Sequence, residues 1–496
     1  SGAGKGGTTS APFSSGASQV AVGYNALTAF TTGGWNVALG DQAAYRLSTG
    51  NYNIAIGSVA LAGLVTGGHN VVLGYYAGGV MTSGEANIAI GKNALAYTNT
   101  ADDNIAIGQY ASHRTGQFKA AANTIAIGRY SGYYNQGSHN VFMGYYAGYG
   151  SSANAQSPGG GNVGLGSSAL QSFRSGSQNV AIGKESLVAN LDGSDNVAVG
   201  FRAGAYATGS NNTFVGKSAG QGVNSYPVYS SGQNNTAVGY QALIGFTTGN
   251  ENTAIGRTTM SSLTSGTRNV GLGMDAGGGT TTGNDNNFIG KSAGGQNVSG
   301  DEMVLIGTAA GFSLNHDTDN DGAVFIGYNA GYNYVSGGGG GVFIGWKAGQ
   351  MADAASTNAV YNTYIGYEAG RFLDDGMNNV ALGHQAMRSA DADGQNAQYN
   401  VGVGMQALYA ITDADYNVAI GNLSGKDITT GGQNTLVGYG SGQNITDGTL
   451  NVVIGTNAGD GTTGVDKTVL VGWGAGRGAM TSDADGTVAI GYQALQ

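Results

Sequence analysis

The sequence predicts an all-β protein, a parallel β-solenoid of about 27 coils built on a 17-residue repeat. Three observations carry that prediction: an extreme composition, a fixed period, and a short alternating strand in every period. Of 496 residues, 94 are glycine, 3 are proline and none is cysteine. Glycine so far above its usual share of roughly 7% weakens helix interiors and leaves little side-chain bulk for a compact core. Collagen needs glycine at every third position and abundant proline, and neither is present. Apolar residues still make up 41% of the chain and the net charge is only −10, which is not the composition of a disordered segment.

The period is marked by the last residue of Asn-Val-Ala-Ile-Gly-like pentads, from Gly23, Gly40 and Gly57 to Gly455, Gly472 and Gly491. These glycines define 27 units, and 16 of the 26 spacings between them are 17 residues. With that glycine as position 0, position −4 is Asn in 20 of the 27 units, from Asn36 to Asn451. Such an amide column fits a ladder running from coil to coil. Positions −3 to −1 carry β-branched and aliphatic residues and read as one short strand. Glycine at 0, and a second near +10 as in Thr32-Gly33 and Thr430-Gly431, read as corners. Position +3 is Ala, Ser or Thr throughout. Coils spaced at ~4.8 Å give a rod of roughly 130 Å. Residues 1–18 read as a Gly/Ser-rich flexible linker with no signal-peptide pattern, and 19–496 as one elongated domain.

Position −2 carries a volume signal. It is large in eleven coils (Val72, Phe142, Phe214, Phe288, Leu305, Phe325, Phe343, Tyr364, Leu436, Val453 and Leu470), and in all eleven position +4 is glycine. Where +4 is Leu or Met, as at Leu27, Leu61 and Met260, position −2 is Ala or Gly. The two positions therefore share one close-packed space. With −3 and −1 taken as the inside of the coil, −2 faces outward, and those eleven residues become an oligomer interface with further copies of the chain. The opposite assignment places −2 and +4 inside a single-chain coil.

The unit at 53–60, Asn-Ile-Ala-Ile-Gly-Ser-Val-Ala, and those at 235–243 and 487–495 resemble the head repeats of YadA-like trimeric autotransporter adhesins. They are similar also to repeats of bacteriophage tail-fibre shafts. The resemblance covers about residues 19–496 and implies a left-handed parallel β-roll, three chains about a threefold axis, and an extracellular place on a bacterial surface or a virion. The adhesin coils are shorter, nearer fourteen residues, and the neck, stalk and anchor of that family have no counterpart in this sequence. The expected function is a rigid homotrimeric fibre for attachment to a host cell or surface. The alternative is a structural filament of chains stacked end to end; ice-binding and a polysaccharide-degrading tailspike stand behind both.

Candidate sites lie at the outward turns. Position +1 is aromatic at Tyr24, Tyr75, Tyr145, Phe201, Tyr240, Tyr328, Trp346, Tyr367, Tyr439, Trp473 and Tyr492. Such a row suits stacking on cell-surface glycans or a protein receptor, or packing between coils. Asp317, Asp319, Asp321 and Gly322 match the start of an EF-hand calcium loop, but Tyr328 stands where its final glutamate belongs; Asp391-Ala-Asp393-Gly394 and Asp483-Ala-Asp485-Gly486 are shorter echoes. Thr-Thr pairs such as Thr31-Thr32 and Thr281-Thr282 are too irregular for an ice-binding array. The acidic balance argues against nucleic acid, no apolar run is long enough for a membrane span, and no catalytic set emerges, so no enzyme is predicted.

Overall fold

A computed structural model describes residues 2–6, 15–100, 102–113, 121–151, 157–225, 229–314, 321–334, 340–351, 359–389 and 395–495. The protein is a parallel β-solenoid, and the chain divides into two compact units, Ser1–Gly249 and Asn250–Gln496. Among the described residues the first unit holds strands β1 (Val20–Val22) to β13 (Thr236–Val238), and the second β14 (Thr253–Ile255) to β27 (Val488–Ile490). Each strand is three residues long. Within each unit successive strands pair in parallel with identical repeat positions opposed, as in Val37↔Ile54, Ala38↔Ala55 and Leu39↔Ile56, or Val324↔Val342 and Phe325↔Phe343. One 3-10 turn at Ser482–Ala484 is the only helical element among the described residues.

Three-residue strands are too short to hold a sheet alone, and the turns are laddered as well. In the coil of Gly40 the Gln42 N–H donates to the Tyr24 carbonyl at 2.8 Å, Ala44 N–H to Ala60 at 2.9 Å and Ser48 N–H to Val65 at 2.9 Å. To stack in this way the turn alternates its backbone hand. Positions −5, +2 and +4 take positive φ even when they are not glycine, as in Tyr52 (59°), Val59 (59°) and Leu61 (53°). Position 0 is different: its φ lies between 127° and 142° in all 27 coils, a region that only glycine occupies without strain. A methyl group on Gly91 would also lie 2.7 Å from the Gly108 carbonyl oxygen above it. Conformation and close approach both demand glycine there.

The core runs along the inside of each unit. In every strand but the first, the middle residue is buried, with Ala38, Ala55, Phe142, Phe214 and Phe325 fully enclosed by the single chain. This corrects the sequence expectation about faces. Position −2 points into the coil, while −3 and −1 point out. Val72, Phe142, Phe214, Phe288, Leu305, Phe325, Phe343, Tyr364, Leu436, Val453 and Leu470 are all inaccessible within their own chain, so they form no interface between chains. The volume exchange with +4 is real but intramolecular. A methyl group on Gly331 would stand 2.6 Å from the Phe325 ring, and one on Gly349 2.6 Å from that of Phe343. A third interior position, +7, was not singled out in the sequence; it holds Leu47, Leu64, Phe173 and Phe246, but also Thr98, Asn190 and Asn297.

The Asn column is the predicted ladder, and it too lies inside. Asn53 Nδ2 donates to Asn36 Oδ1 at 3.0 Å and to the Gly67 carbonyl at 3.0 Å, while its backbone N–H also donates to Asn36 Oδ1 at 2.9 Å. Asn70, Asn87 and Asn104 repeat this upward, as do Asn417, Asn434 and Asn451 in the second unit. Each amide therefore joins its own strand, the far corner of its coil and the next coil. At the N-terminus, Gly4 N–H donates to the Ala26 carbonyl at 2.9 Å and Ser15 N–H to Thr31 at 2.7 Å. Described parts of the segment expected to be a flexible linker thus lie on the first coil.

Candidate interaction surfaces

With −2 turned inward, each unit presents a flat sheet face made of positions −3 and −1. Across all 54 of these positions there is no charged residue, although 10% of the chain is charged. The side chains stand in columns of Val, Ile, Leu and Thr, broken by Met143 and Asn287. Many remain open to solvent in the single chain, including Leu39 at 44%, Ile182 at 38%, Leu272 at 46% and Leu382 at 45% exposure. Monomeric proteins seldom expose contiguous apolar patches above a few hundred Å², and a sheet of 13 or 14 coils with two open aliphatic columns exceeds that.

The aromatic row at +1 is exposed as expected, from Tyr24, Tyr75 and Tyr145 to Tyr240, Tyr439 and Tyr492. Its rings are differently presented along the chain. In the second unit Tyr328, Trp346, Tyr367 and His384 form a continuous stack with centroids 6.1, 4.7 and 5.0 Å apart and planes within 14° of parallel. Trp473 and Tyr492 stack likewise at 5.1 Å. Rings packed face to face along the coils turn their edges, not their faces, to solvent. Lys92 sits 5.9 Å from the Tyr75 ring and Lys217 5.6 Å from that of Tyr240. Other columns behave the same way: Trp35, Tyr52 and His69 stack at −5, as do Tyr399 and Tyr416, 1° from parallel. A denser group, Tyr110, Tyr130, Tyr133, Tyr146 and Tyr149 with His113, spans consecutive turns of the first unit. Burial and its phenolic neighbours push the Tyr149 hydroxyl well above the usual tyrosine pKa.

Asp317 and Asp319 of the proposed calcium loop, like Asp391 and Asp393, lie outside the described residues. Asp321 accepts the Asp301 backbone N–H at 2.8 Å, and Asp485 accepts that of Asp466 at 2.8 Å. The same contact recurs at Asp102, Ser177, Asn284 and Asp415. Asp321 and Asp485 therefore belong to a side-chain column that caps the N–H one coil below, while Asp483 lies in the 3-10 turn Ser482–Ala484. Among the described residues no three His, Asp or Glu side chains come together as a metal-binding group. The Thr-Thr pairs are also structural, since Thr281 Oγ1 donates to the Val298 carbonyl at 3.1 Å and Thr429 Oγ1 to Thr446 at 3.2 Å.

Two ion-pair clusters are confined to a few neighbouring coils. Arg174 pairs with Asp192 across one coil spacing; its guanidinium, helped by the Ser175 hydroxyl and opposed by burial, holds the Asp192 carboxyl down at about 2. Glu368 is only 5% exposed and accepts from Arg371, from Gln385 Nε2 at 2.9 Å and from Arg388 Nε at 3.0 Å. Burial alone would raise its pKa, but the amide and the two guanidiniums outweigh burial and hold the carboxyl below its usual range. Among the described residues no helix is long and apolar enough to cross a membrane. No protein-family model matches the chain, and no curated protein matches it significantly.

Proposed function

We propose that the protein is a structural fibre protein, used for attachment to a cell or other surface, whose chains assemble as a homotrimer through the outward sheet face. The observation that carries this reading is the charge-free aliphatic face of −3 and −1, open in the single chain over many consecutive coils. A charge-free, largely apolar sheet of this extent is seldom left uncovered in water. Another copy of the chain supplies columns with the same spacing and the same lack of charge, so it can match the face coil for coil. The number three and the extracellular setting come from the likeness of the repeat to adhesin heads and tail-fibre shafts. The interior polar ladder supports the fibre role, because coil-to-coil bonds from the side chains as well as the backbone resist opening at any single coil.

Light scattering on the purified chain tests the reading. The expected particle has three times the 49.5 kDa chain mass at micromolar concentration. A mass equal to one chain removes the trimer. Masses that grow with concentration replace it with the end-to-end filament.

A further inference from the structure

The Glu368 cluster has more positive charge than its carboxylate balances. Arg371 and Arg388 share the Glu368 carboxylate, with side chains 16% and 23% exposed against 6% for Glu368; a second buried carboxylate, Asp374, follows in the same turn. Both guanidiniums lie against the Phe372 ring, at 4.2 and 5.5 Å from its centroid. Arg388 Nη1 also donates to the Tyr409 hydroxyl at 3.1 Å. Each guanidinium has five N–H donors, so among the described residues most remain unspent, and Arg371 Nε is buried with no partner among them. Lys347, one coil earlier, sits 4.4 Å from the Trp346 ring. Arg371, Arg388 and Lys347 thus lie close to the exposed ring stack Trp346–Tyr367–His384.

We propose that this patch binds anionic saccharides, with Arg371 and Arg388 receiving a carboxylate or sulfate and the edges of Trp346 and Tyr367 meeting sugar hydroxyls. Glu368 fixes the two forks, and Phe372 holds their planes, so their remaining donors are pre-oriented for a bidentate anion. Nucleic acid is disfavoured because single strands need open ring faces for base stacking, and here the rings cover one another. The acidic remainder of the chain also repels a long polyanion. The proposal supplies a ligand for the attachment reading above and rests on it for its purpose, but its geometry stands within one chain.

The test is calorimetric titration of the full chain with four probes of similar length: oligogalacturonate for carboxylate, a heparin-derived oligosaccharide for sulfate, a neutral maltooligosaccharide, and a single-stranded oligonucleotide. The expected result is saturable binding of at least one anionic saccharide, weakened by salt, with no binding of the neutral one. Arg371→Gln and Arg388→Gln should each weaken it at least tenfold. Arg388→Lys keeps the charge but not the fork and should also weaken it, with an unchanged circular dichroism spectrum and melting curve. Because Arg371→Gln can disturb the fold around Glu368, the surface change Lys347→Gln serves as a second reading and should weaken binding severalfold. Absence of binding to both anionic saccharides, binding indifferent to all of these changes, or tighter binding of the oligonucleotide would overturn the site. Light scattering on the same samples separates the two readings: a trimer that binds no anion loses the site alone, and a monomer that binds loses the trimer alone.

Discussion

At the scale of single residues, the repeat is held by a few side chains that cannot be exchanged. Asn70 illustrates this: it donates to Asn53 Oδ1 and the Gly84 carbonyl and accepts both N–H groups offered by Asn87. Asn70→Ala removes the side-chain partner of the Gly84 carbonyl and of the Asn87 backbone N–H, each worth about 1–3 kcal/mol when unsatisfied. A loss of about 3–5 kcal/mol is expected, read as a lowered denaturation midpoint. Asn70→Thr should cost less, because Thr468 occupies the same column and still donates to Asn451 Oδ1 at 2.7 Å. The carboxyls of Glu368 and Asp192 make a second residue-scale prediction. Both ionise more readily folded than unfolded, so the stability they bring is complete above the ordinary values of 4.5 and 3.8. It drains away as pH falls through the folded values, about 2 for Asp192. Melting temperature should therefore decline between about pH 4 and 2, and Glu368→Gln with Asp192→Asn should flatten that decline while lowering the plateau above it. These roles differ in how plainly the sequence displays them. The Asn and Gly columns are visible as a period, because the same physical demand recurs in every coil. Glu368 is invisible, because its partners, Arg371 in its own coil and Gln385 and Arg388 in the next, form a set of residue types that the other coils do not repeat.

At the scale of the coil, the exchange between −2 and +4 decides how the interior is filled. Leu61 sits at +4 with a φ of 53°, a left-handed conformation that costs a non-glycine residue about 1–2 kcal/mol, and it fills the space that Ala55 leaves. Leu61→Gly alone relieves the backbone but opens a cavity, and Ala55→Phe alone drives a ring into Leu61. Each single change should destabilise by about 2–4 kcal/mol. The double variant recreates the Phe325–Gly331 pair found in the second unit and should recover most of that loss, a coupling of about 2 kcal/mol or more in a double-mutant cycle. Additive losses would mean that the two positions do not share a space. Period, strand position and this exchange were all legible in the sequence. The face was not, because strict alternation fixes only that −2 opposes −3 and −1. When all three are apolar, alternation cannot say which side is inside. The bulkier, β-branched columns looked like the core, yet the interior of so small a coil takes a single side chain per strand, Ala more often than any other residue. Position +7 escaped notice for a related reason. It mixes Leu and Phe with residues such as Asn190, whose amide satisfies Gly193 from both sides, with bonds of 3.0 Å each, so its chemistry varies from coil to coil.

At the scale of the whole molecule, the correction of faces moves the oligomer interface rather than removing its motive. The face that the sequence reading placed inside is the one left open, and it carries no charge to keep it in water. If it is covered by other copies of the chain, one charge placed in it should act on assembly without acting on the fold. Ile182→Lys in the first unit and Leu382→Lys in the second alter side chains that a single chain already leaves 38% and 45% exposed. A buried lysine without a partner costs several kcal/mol in the assembled state, and the threefold repetition of the site multiplies that cost. The double variant should sediment at the 49.5 kDa of one chain with an unchanged circular dichroism spectrum. Phe325→Lys provides the contrast. Position −2 is sealed within its own coil, so a lysine there should unfold neighbouring coils and lower the melting temperature whether or not the chains associate. Were −2 the interface, the outcomes would be reversed: Phe325→Lys would release folded monomers, and the lysines at 182 and 382 would break the fold instead.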